Sequence, residues 1–309
     1  MNFLKPKFWD KNKSSFFSVL LIPISLLIEL LHVIKSIITK TQNFSIPIIC
    51  VGNIYLGGTG KTPLCIEIFS ILKSLKKNPA FIRKEYPIFQ DEVNLQKKIG
   101  PVYQNKKRVD AIRFAIKNKI NVAILDDGFQ DFSINKNLSI ICFTEKQWIG
   151  NGFTIPSGPL RENLHSLKRA NLVMINGNKN NDIEQEILKQ NKEIKIFYSE
   201  YNPVNIDIIK NKNITAFAGI GTPENFFDLL RKNNANIMEE IKFPDHCNYT
   251  NEQLDSLINK AQKNNSILVT TEKDYSRINE NYKKKITFLK ISLEIKNYVE
   301  FVQEIKKTI

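Results

Sequence analysis

The sequence contains few of the residues that build metal clusters and disulfides. Its 309 residues include only four cysteines and three histidines. The cysteines stand far apart and no two form a CxxC pair: they are Cys50, Cys65, Cys142 and Cys247. This spacing excludes a zinc ribbon and a redox CxxC motif and argues against a disulfide framework. We therefore expect the reduced thiols of a cytosolic protein.

Internal repeats and low-complexity tracts are also absent from the sequence. With 42% hydrophobic and 25% charged residues, the composition is that of a globular protein rather than a disordered or collagen-like one. At roughly 100–200 residues per domain, two domains are expected. The 45 basic and 31 acidic residues give a formal net charge of +14. This charge favours an anionic partner, but it does not distinguish nucleic acid, a membrane surface and a phosphorylated substrate.

The most apolar stretch, residues 16–38, lacks the small-residue cleavage site of a signal peptide. It also lacks an uninterrupted apolar run, because it contains Pro23, Glu29, His32 and Lys35. A weakly polar stripe recurs at helical spacing, formed by Ser18, Ser25, Glu29, His32 and Ser36. Three interpretations remain open: a helix in the membrane interface, a membrane-spanning helix and a buried amphipathic helix. We favour the interfacial helix, since the preceding lysines 5, 7, 11 and 13 could meet anionic headgroups.

Beyond this segment, short apolar runs typical of buried strands alternate with segments of helical spacing. The predicted strands are residues 45–53, 80–83, 121–125, 138–143, 172–176, 194–198, 214–218, 267–271 and 286–290. The predicted helices are residues 63–76, 109–118, 223–232, 251–263 and 293–307. This alternation predicts an α/β fold with parallel, helix-covered sheets.

A glycine-rich turn, GGTGKT, joins the first predicted strand to the first of these helices. The N–H groups of such a turn and the helix dipole bind phosphate, Lys61 would reach the β- and γ-phosphates, and the Thr62 hydroxyl would ligate Mg²⁺. The loop is deviant, because Tyr55 stands where the usual pattern has glycine. We predict ATP and Mg²⁺ as cofactors. The predicted nucleotide-binding residues are Tyr55, Leu56, Gly57, Gly58, Thr59, Gly60, Lys61 and Thr62.

Two acidic pairs suit phosphoryl transfer. Asp126 and Asp127 end an apolar strand, where a carboxylate of a P-loop protein orders Mg²⁺, although such pairs are also common turn and N-cap signals. Asp91 and Glu92 could supply the carboxylate that accepts a hydroxyl proton, but such a pair, judged from the residues alone, is more often part of a solvated loop. His246 lies in FPDH, and a lone loop histidine is usually structural or exposed.

Eight segments taken together resemble the tetraacyldisaccharide 4'-kinase family of lipid A biosynthesis. They are VGNIYLGGTGKTP (51–63), the DE of QDEVNL (91–92), ILDDGFQD (124–131), GNGFTIPSGPLREN (150–163), LKRA (167–170), AGIGTPENFF (218–227), FPDHCNYT (243–250) and TTEKD (270–274). They follow the family order over most of the chain, and their combination is highly specific. The loop of that family also lacks the glycine that Tyr55 replaces.

The resemblance implies an enzyme that transfers the γ-phosphate of ATP to the 4'-hydroxyl of tetraacyldisaccharide 1-phosphate, forming lipid IVA. It implies a P-loop NTPase-like parallel-sheet domain with an N-terminal membrane-associated helix and a second, smaller α/β domain. We expect residues 1–42 to form the membrane-associated segment, 43–168 the P-loop kinase domain and 169–292 the smaller domain. The C-terminal helix within 293–309 can pack on the kinase domain.

The expected partners are the lipid substrate and an anionic membrane surface, at the cytoplasmic face of the bacterial inner membrane. We expect a monomer that binds no nucleic acid. The implied catalytic residues are Asp91, His246, Lys61, Asp127 and Arg161, and the implied metal ligands are Thr62, Asp126 and Glu92. In this scheme Asp91 acts on the acceptor hydroxyl with His246 as its partner. Arg161, in GPLRE, faces the anionic substrate or transition state.

The sequence departs from the family pattern at several positions. GDEP appears as QDEV (90–93), and an SRGYG-like stretch is reduced to IRKEY (82–86). Asp131 stands where the family has histidine, and Asn163 and Asn171 replace proline and aspartate. These changes leave Lys61, Thr62, Asp91, Asp126 and His246 in place, while the loss of glycines around 83–90 alters the predicted substrate loop.

A function of another class also fits part of the sequence. A membrane-associated P-loop switch, which hydrolyses ATP and binds a partner, would use the GGTGKT loop and the apolar segment. It would have no use for Asp91 and His246. Nucleic-acid binding lacks any recognisable module or interleaved aromatic and basic stripe.

Overall fold

The computed structural model describes residues 6–9, 15–86 and 90–309, without the side chains of Gln90 and Asp91. Helices and strands alternate through most of this chain, as the sequence pattern predicts. In chain order they are α1 (Phe16–Ile38), β1 (Ile48–Gly52), α2 (Lys61–Ser74), β2 (Pro79–Lys84), α3 (Gln90–Lys97), β3 (Val102–Asn105), α4 (Arg108–Lys117), β4 (Val122–Asp126), β5 (Leu138–Thr144), β6 (Leu172–Asn176), α5 (Asn181–Gln190), β7 (Lys195–Pro203), β8 (Asn213–Ala218), α6 (Pro223–Lys232), β9 (Asn236–Lys242), α7 (Asn251–Lys263), β10 (Ile267–Thr271), α8 (Glu272–Tyr275), α9 (Glu280–Lys283), β11 (Thr287–Leu289), β12 (Ile291–Ile295) and α10 (Tyr298–Thr308).

The described chain divides into two compact units. The larger unit contains residues 6–9, 15–86, 96–200 and 293–309, and the smaller unit contains residues 90–95 and 201–292. The division after residue 200 differs from the expected boundary after residue 168. The reason is that β6 and β7 extend the large sheet, since β6 pairs with β5 and β7 pairs with β6.

The larger unit is built on an eight-stranded sheet of order β12-β7-β6-β5-β1-β4-β2-β3. The pairings from β7 through to β3 are all parallel. β1 lies between β4 and β5, so the chain leaves β1 at a point where the strand order reverses. Open α/β sheets bind ligands beyond the carboxyl ends of strands at such a point.

The two faces of this sheet carry two separate hydrophobic cores, because successive side chains of a strand point to opposite faces. On β1, Ile48 and Cys50 join one core, while Ile49 and Val51 join the other. Helices α4 and α5 pack on the first core and α2 and α10 on the second. Both faces are therefore covered, as expected for a parallel sheet whose strands are apolar throughout.

Helix α1 has the reverse of the usual amphipathic pattern. Its buried residues are Ser18 and Ser25, while most of its large apolar side chains are exposed, including Leu27 at 56% and Leu31 at 57%. The helix is long and apolar enough to cross a bilayer. This arrangement excludes the interpretation as a buried amphipathic helix, because the polar stripe, not the apolar face, meets the rest of the larger unit.

The smaller unit is built on a four-stranded sheet of order β11-β10-β8-β9, in which all three pairings are parallel. Helix α6 covers one face through Phe226, Phe227 and Leu230, and α7 covers the other through Leu254 and Leu257. Both units are therefore α/β, which confirms the predicted fold class.

Two local predictions need correction. Residues 293–295 belong to strand β12 and the C-terminal helix begins at Tyr298, so the predicted helix at 293–307 starts too early. Asp91 and Glu92 lie in helix α3 rather than in a loop. Strands β3, β9 and β12 are absent from the predicted strands, and β9 has only exposed and half-buried residues without an apolar run.

Candidate functional site

The GGTGKT loop runs from the carboxyl end of β1 into α2. Asn53 is fully buried, and its Nδ2 donates to the Gly57 carbonyl at 3.2 Å and to Thr59 Oγ1 at 3.0 Å. Gly57 and Gly60 have φ values of 136° and 88°, a region that favours glycine. Within the described residues, no side chain caps the amino end of α2. Its first N–H groups are therefore available to an anion.

The loop is hydrogen-bonded to segment 150–163, which we call the GPLRE segment after residues 158–162. Leu56 N donates to Pro159 O at 2.8 Å, Arg161 N donates to Ile54 O at 2.6 Å, and Tyr55 forms an isolated bridge with Leu160. The Tyr55 side chain is buried in the core, whereas that of Leu56 is exposed. These two residues thus join the loop to the GPLRE segment, and the Leu56 N–H is already used.

Asp127 lies directly after β4 and faces two cations. Its Oδ1 lies 2.8 Å from Arg161 Nη1 and 3.8 Å from Lys61 Nζ. Burial would raise the pKa of Asp127, but Lys61 and Arg161 more than offset it and hold the pKa well below its ordinary value. Asp127 is therefore a carboxylate at neutral pH and compensates the charge of both cations.

Asp126, the preceding residue, is buried and has different partners. Its Oδ2 accepts hydrogen bonds from Arg83 Nη1 at 2.6 Å, Gln96 Nε2 at 2.8 Å and Thr62 Oγ1 at 3.3 Å. Asp126 is 1% exposed, and an ionised carboxylate at that depth requires paired and hydrogen-bonded neighbours. The two adjacent aspartates therefore have separate surroundings.

Thr62 and Asp126 fit a magnesium ion that retains other ligands. Mg²⁺ is commonly bound by one or two carboxylates, with water and phosphate oxygens completing six ligands. The Thr62 hydroxyl and the Asp126 carboxylate are oxygen donors of this kind, adjacent to the loop. In the described part of the chain, no three His, Cys, Asp or Glu residues cluster closely enough to hold a metal by themselves. The residues therefore suit an ion that shares its coordination with a nucleotide.

Arg108, at the start of α4, holds the turn that follows β4. It is 7% exposed, and its Nη2 donates to the Asp127 carbonyl at 2.6 Å while its Nη1 lies 3.2 Å from Asp131 Oδ2. Asp127 has a φ of 58°, which is uncommon for a residue other than glycine. The hydrogen bond from Arg108 to the Asp127 carbonyl therefore stabilises the backbone of this turn.

In the smaller unit, Lys273 links two of the predicted residues. Its Nζ lies 3.1 Å from Glu92 Oε1 and 3.3 Å from His246 Nε2. His246 has a φ of 58°, and its N–H donates to the Gly219 carbonyl at 3.1 Å. The side chain of Asp91 lies outside the described residues, so the predicted pairing of Asp91 with His246 remains a prediction.

Asp274 joins three of the family-like segments. It is fully buried and accepts hydrogen bonds from Gly219 N at 3.1 Å and Tyr249 Oη at 2.8 Å. Arg277 also lies 3.3 Å from its Oδ1. Segments AGIG, FPDHCNYT and TTEKD therefore meet at the carboxyl edge of the small sheet, where β8 and β10 end.

Comparison with known proteins assigns the family. A model of the family described as tetraacyldisaccharide-1-P 4'-kinase matches residues 17–93 and 88–309. A tetraacyldisaccharide 4'-kinase of Pelagibacter ubique (strain HTCC1062) is 44% identical over 298 residues, which cover 96% of this chain and 95% of the relative. The chain belongs to the tetraacyldisaccharide-1-P 4'-kinase family.

More distant members agree over the same length. A tetraacyldisaccharide 4'-kinase of Rickettsia bellii (strain OSU 85-389) is 33% identical over 312 residues, covering 95% of each chain. The crystal structure of the "apo" form of LpxK from Aquifex aeolicus in complex with ATP matches with a TM-score of 0.73. It is 22% identical and the match covers 95% of this chain and 99% of that one, so it supports the family fold.

Among the described residues, several side chains that contact predicted site residues were missed by sequence reasoning. They include Arg83, Gln96, Arg108 and Lys273. Arg83 carried a usable signal, because a charged residue within the apolar strand pattern AFIR requires a buried partner. Lys273 lies inside the quoted TTEKD segment. Gln96 and Arg108 show nothing unusual in their local sequence.

Proposed function

We propose that this chain is an ATP-dependent lipid-sugar kinase, which transfers the γ-phosphate of ATP to the 4'-hydroxyl of tetraacyldisaccharide 1-phosphate and forms lipid IVA. Family membership over nearly the whole chain supports the reaction. The observation that supports particular residues in this reaction is the arrangement at the start of α2. There Lys61 faces Asp127 and Thr62 faces Asp126.

The loop suits the triphosphate of ATP. We propose that the N–H groups from Gly57 to Thr62 bind phosphate oxygens and that Lys61 compensates the charge of the β- and γ-phosphates. The two glycines at positive φ and the uncapped start of α2 support this role. Thr62 and Asp126 would hold Mg²⁺, which supplies further charge compensation to the phosphates when bound.

The remaining roles concern the acceptor. Asp91 would accept the proton of the 4'-hydroxyl, with His246 as its partner, and Glu92 would act near the metal. Arg161 and Asp127 would act at the reacting phosphate. In phosphoryl transfer most of the rate enhancement comes from positioning and charge stabilisation, which suits fixed cations such as Lys61 and Arg161.

We also propose that α1 associates with an anionic membrane surface, at the cytoplasmic face of the bacterial inner membrane. Its outward apolar side chains and inward polar stripe support this. Burying an exposed leucine in an apolar environment contributes roughly 1.5–3 kcal/mol, so several such residues suffice for stable binding. A membrane-bound enzyme would meet its acylated acceptor in the same bilayer.

The test is phosphate transfer from ATP labelled at the γ-position to tetraacyldisaccharide 1-phosphate in detergent micelles. Wild type is compared with Lys61→Ala and with Lys73→Ala, an exposed lysine near the other end of α2. A labelled lipid product that is lost only in Lys61→Ala supports the kinase. ATP hydrolysis without labelled lipid contradicts it and favours a P-loop switch.

A further inference from the structure

Ser25 is a buried polar residue within the apolar helix α1. It is 4% exposed, whereas its neighbours Ile24 and Leu26 are 49% and 59% exposed. A buried hydroxyl costs free energy unless it is hydrogen-bonded. A helix that served only as an anchor could dock through apolar packing, so the partners of Ser25 require an explanation.

In the part of the chain that the structure describes, the hydrogen bonds of the Ser25 hydroxyl are made with the GPLRE segment. Its Oγ lies 2.9 Å from Thr154 O and 2.9 Å from Ser157 Oγ, and it accepts from Ser157 N at 3.1 Å. A serine hydroxyl has one donor and two acceptor positions. The single proton of the Ser25 hydroxyl is directed at Thr154 O and Ser157 Oγ, and one acceptor position takes the Ser157 N–H.

The segment continues from Ser157 directly to the nucleotide loop. Pro159, two residues later, accepts the hydrogen bond from Leu56 N at 2.8 Å, and Arg161 N donates to Ile54 O at 2.6 Å. The Arg161 side chain then meets Asp127 at 2.8 Å. A continuous series of short contacts therefore runs from the middle of α1 to the residues around the phosphate loop.

We propose that Ser25 is a positioning residue, which fixes the GPLRE segment and so sets the placement of Arg161 and the preceding edge of the nucleotide loop. Helix α1 then has two faces with two uses. Its apolar side chains meet the bilayer, and Ser25 orders the segment that carries Arg161. The predicted effect on turnover rests on the kinase function proposed above, whereas the ordering of the segment does not.

The experiment compares full-length wild type with Ser25→Ala, Ser25→Thr and Ser36→Ala in detergent micelles. Ser36 is the matched control, because among the described residues its hydroxyl bonds within α1, to Val33 O at 2.7 Å. Hydrogen exchange is followed at the Leu56 and Arg161 amides, and kcat and KM for ATP are measured for lipid phosphorylation. Binding to vesicles containing anionic phospholipid is measured in parallel.

For Ser25→Ala we expect exchange at Leu56 and Arg161 to accelerate by about tenfold, since local opening becomes easier. We expect kcat to fall by about tenfold, with KM for ATP and vesicle binding changed less than about twofold. Ser25→Thr keeps the hydroxyl, so its exchange rates at Leu56 and Arg161 and its kcat should return most of the way to the wild-type values. Ser36→Ala should match wild type.

Unchanged exchange at Leu56 and Arg161 in Ser25→Ala would overturn the proposal, whatever the activity. Equal acceleration at a distant core amide such as Ile187 would also overturn it, because Ser25 would then support the whole unit. A wild type that labels no lipid would contradict the kinase function, but the exchange result would still decide the role of Ser25.

Discussion

The Nη1 atom of Arg161 lies 2.8 Å from Oδ1 of Asp127. The two residues come from distant parts of the chain, one from the GPLRE segment and the other from the turn after β4. Arg161 is held at its backbone as well, through the hydrogen bond from its N–H to Ile54 O. Both ends of this arginine are therefore fixed at the edge of the nucleotide loop.

This ion pair predicts a pH-dependent effect of Arg161→Ala on stability. Burial raises the pKa of Asp127, but Lys61 and Arg161 lower this pKa by more than burial raises it. The pKa in the folded state therefore lies below that in the unfolded state. The stabilisation is therefore complete above the unfolded pKa of about 3.9 and is lost as the pH falls through the folded pKa. The free energy of unfolding, measured with urea from pH 6 to pH 2.5, should differ between wild type and variant most at pH 6.

The matched control for this series is Arg113→Ala. Arg113 pairs with Asp110 at 3.3 Å, but both side chains are largely exposed, and such pairs contribute only about 0–1 kcal/mol. Arg113→Ala should therefore lower the free energy of unfolding only slightly at any pH. A penalty for Arg161→Ala that stays constant down to pH 2.5 would show that the pairing with Asp127 is not its cause.

Loss of the loop lysine or of the proposed base should abolish most of the activity. For Lys61→Ala and Asp91→Ala we expect turnover to fall by about 10²–10³-fold or more, since each removes charge stabilisation or proton transfer at the reacting groups. Far-UV circular dichroism should remain that of wild type. The matched control for Asp91 is Asp110→Ala, at a half-exposed position in the first turn of α4. Near-wild-type turnover in either active-site variant would contradict its assigned role.

The sequence allowed the nucleotide loop and the acidic strand end to be predicted, because both signals are local. An apolar strand, a glycine-rich turn and a helical pattern lie within one short stretch, and Asp126 and Asp127 follow directly on another strand. The predicted strands 172–176 and 194–198 are also present, and both pair within the large sheet, whereas the expected boundary after residue 168 places them in the smaller domain. Sheet membership depends on pairing between strands, which local periodicity does not encode.

The partners of the two aspartates could not be predicted for the same reason. Arg83 reaches Asp126 from β2 and Gln96 reaches it from α3, and only the strand order brings these positions together. The orientation of α1 was equally ambiguous, since a polar stripe is compatible with facing water or facing protein. The contacts of Ser25 with residues 154 and 157 resolve this ambiguity.

The buried pair of Arg83 and Asp126 predicts a large stability effect. Arg83→Met should lower the free energy of unfolding by about 3–5 kcal/mol, because it removes the cation from a buried carboxylate. Arg83→Met combined with Asp126→Asn should recover part of this loss. The control is Arg231→Met, which removes a half-exposed arginine paired with Asp228 and should cost about 0–1 kcal/mol. Urea unfolding measures all three variants, and equal costs for Arg83 and Arg231 would contradict the buried pair.

The outward apolar face of α1 predicts a change in membrane binding without a change in fold. Replacing Leu27 and Leu31 by aspartate removes roughly 3–6 kcal/mol of apolar transfer free energy, at 1.5–3 kcal/mol for each leucine. Because both side chains are more than half exposed, near-UV circular dichroism should not change. Vesicle co-sedimentation should show binding weakened by more than about tenfold. The control is Leu188→Asp on α5, an exposed leucine outside α1, which should bind as wild type does. Equal binding by the α1 variant and this control would show that α1 is not the membrane-binding element.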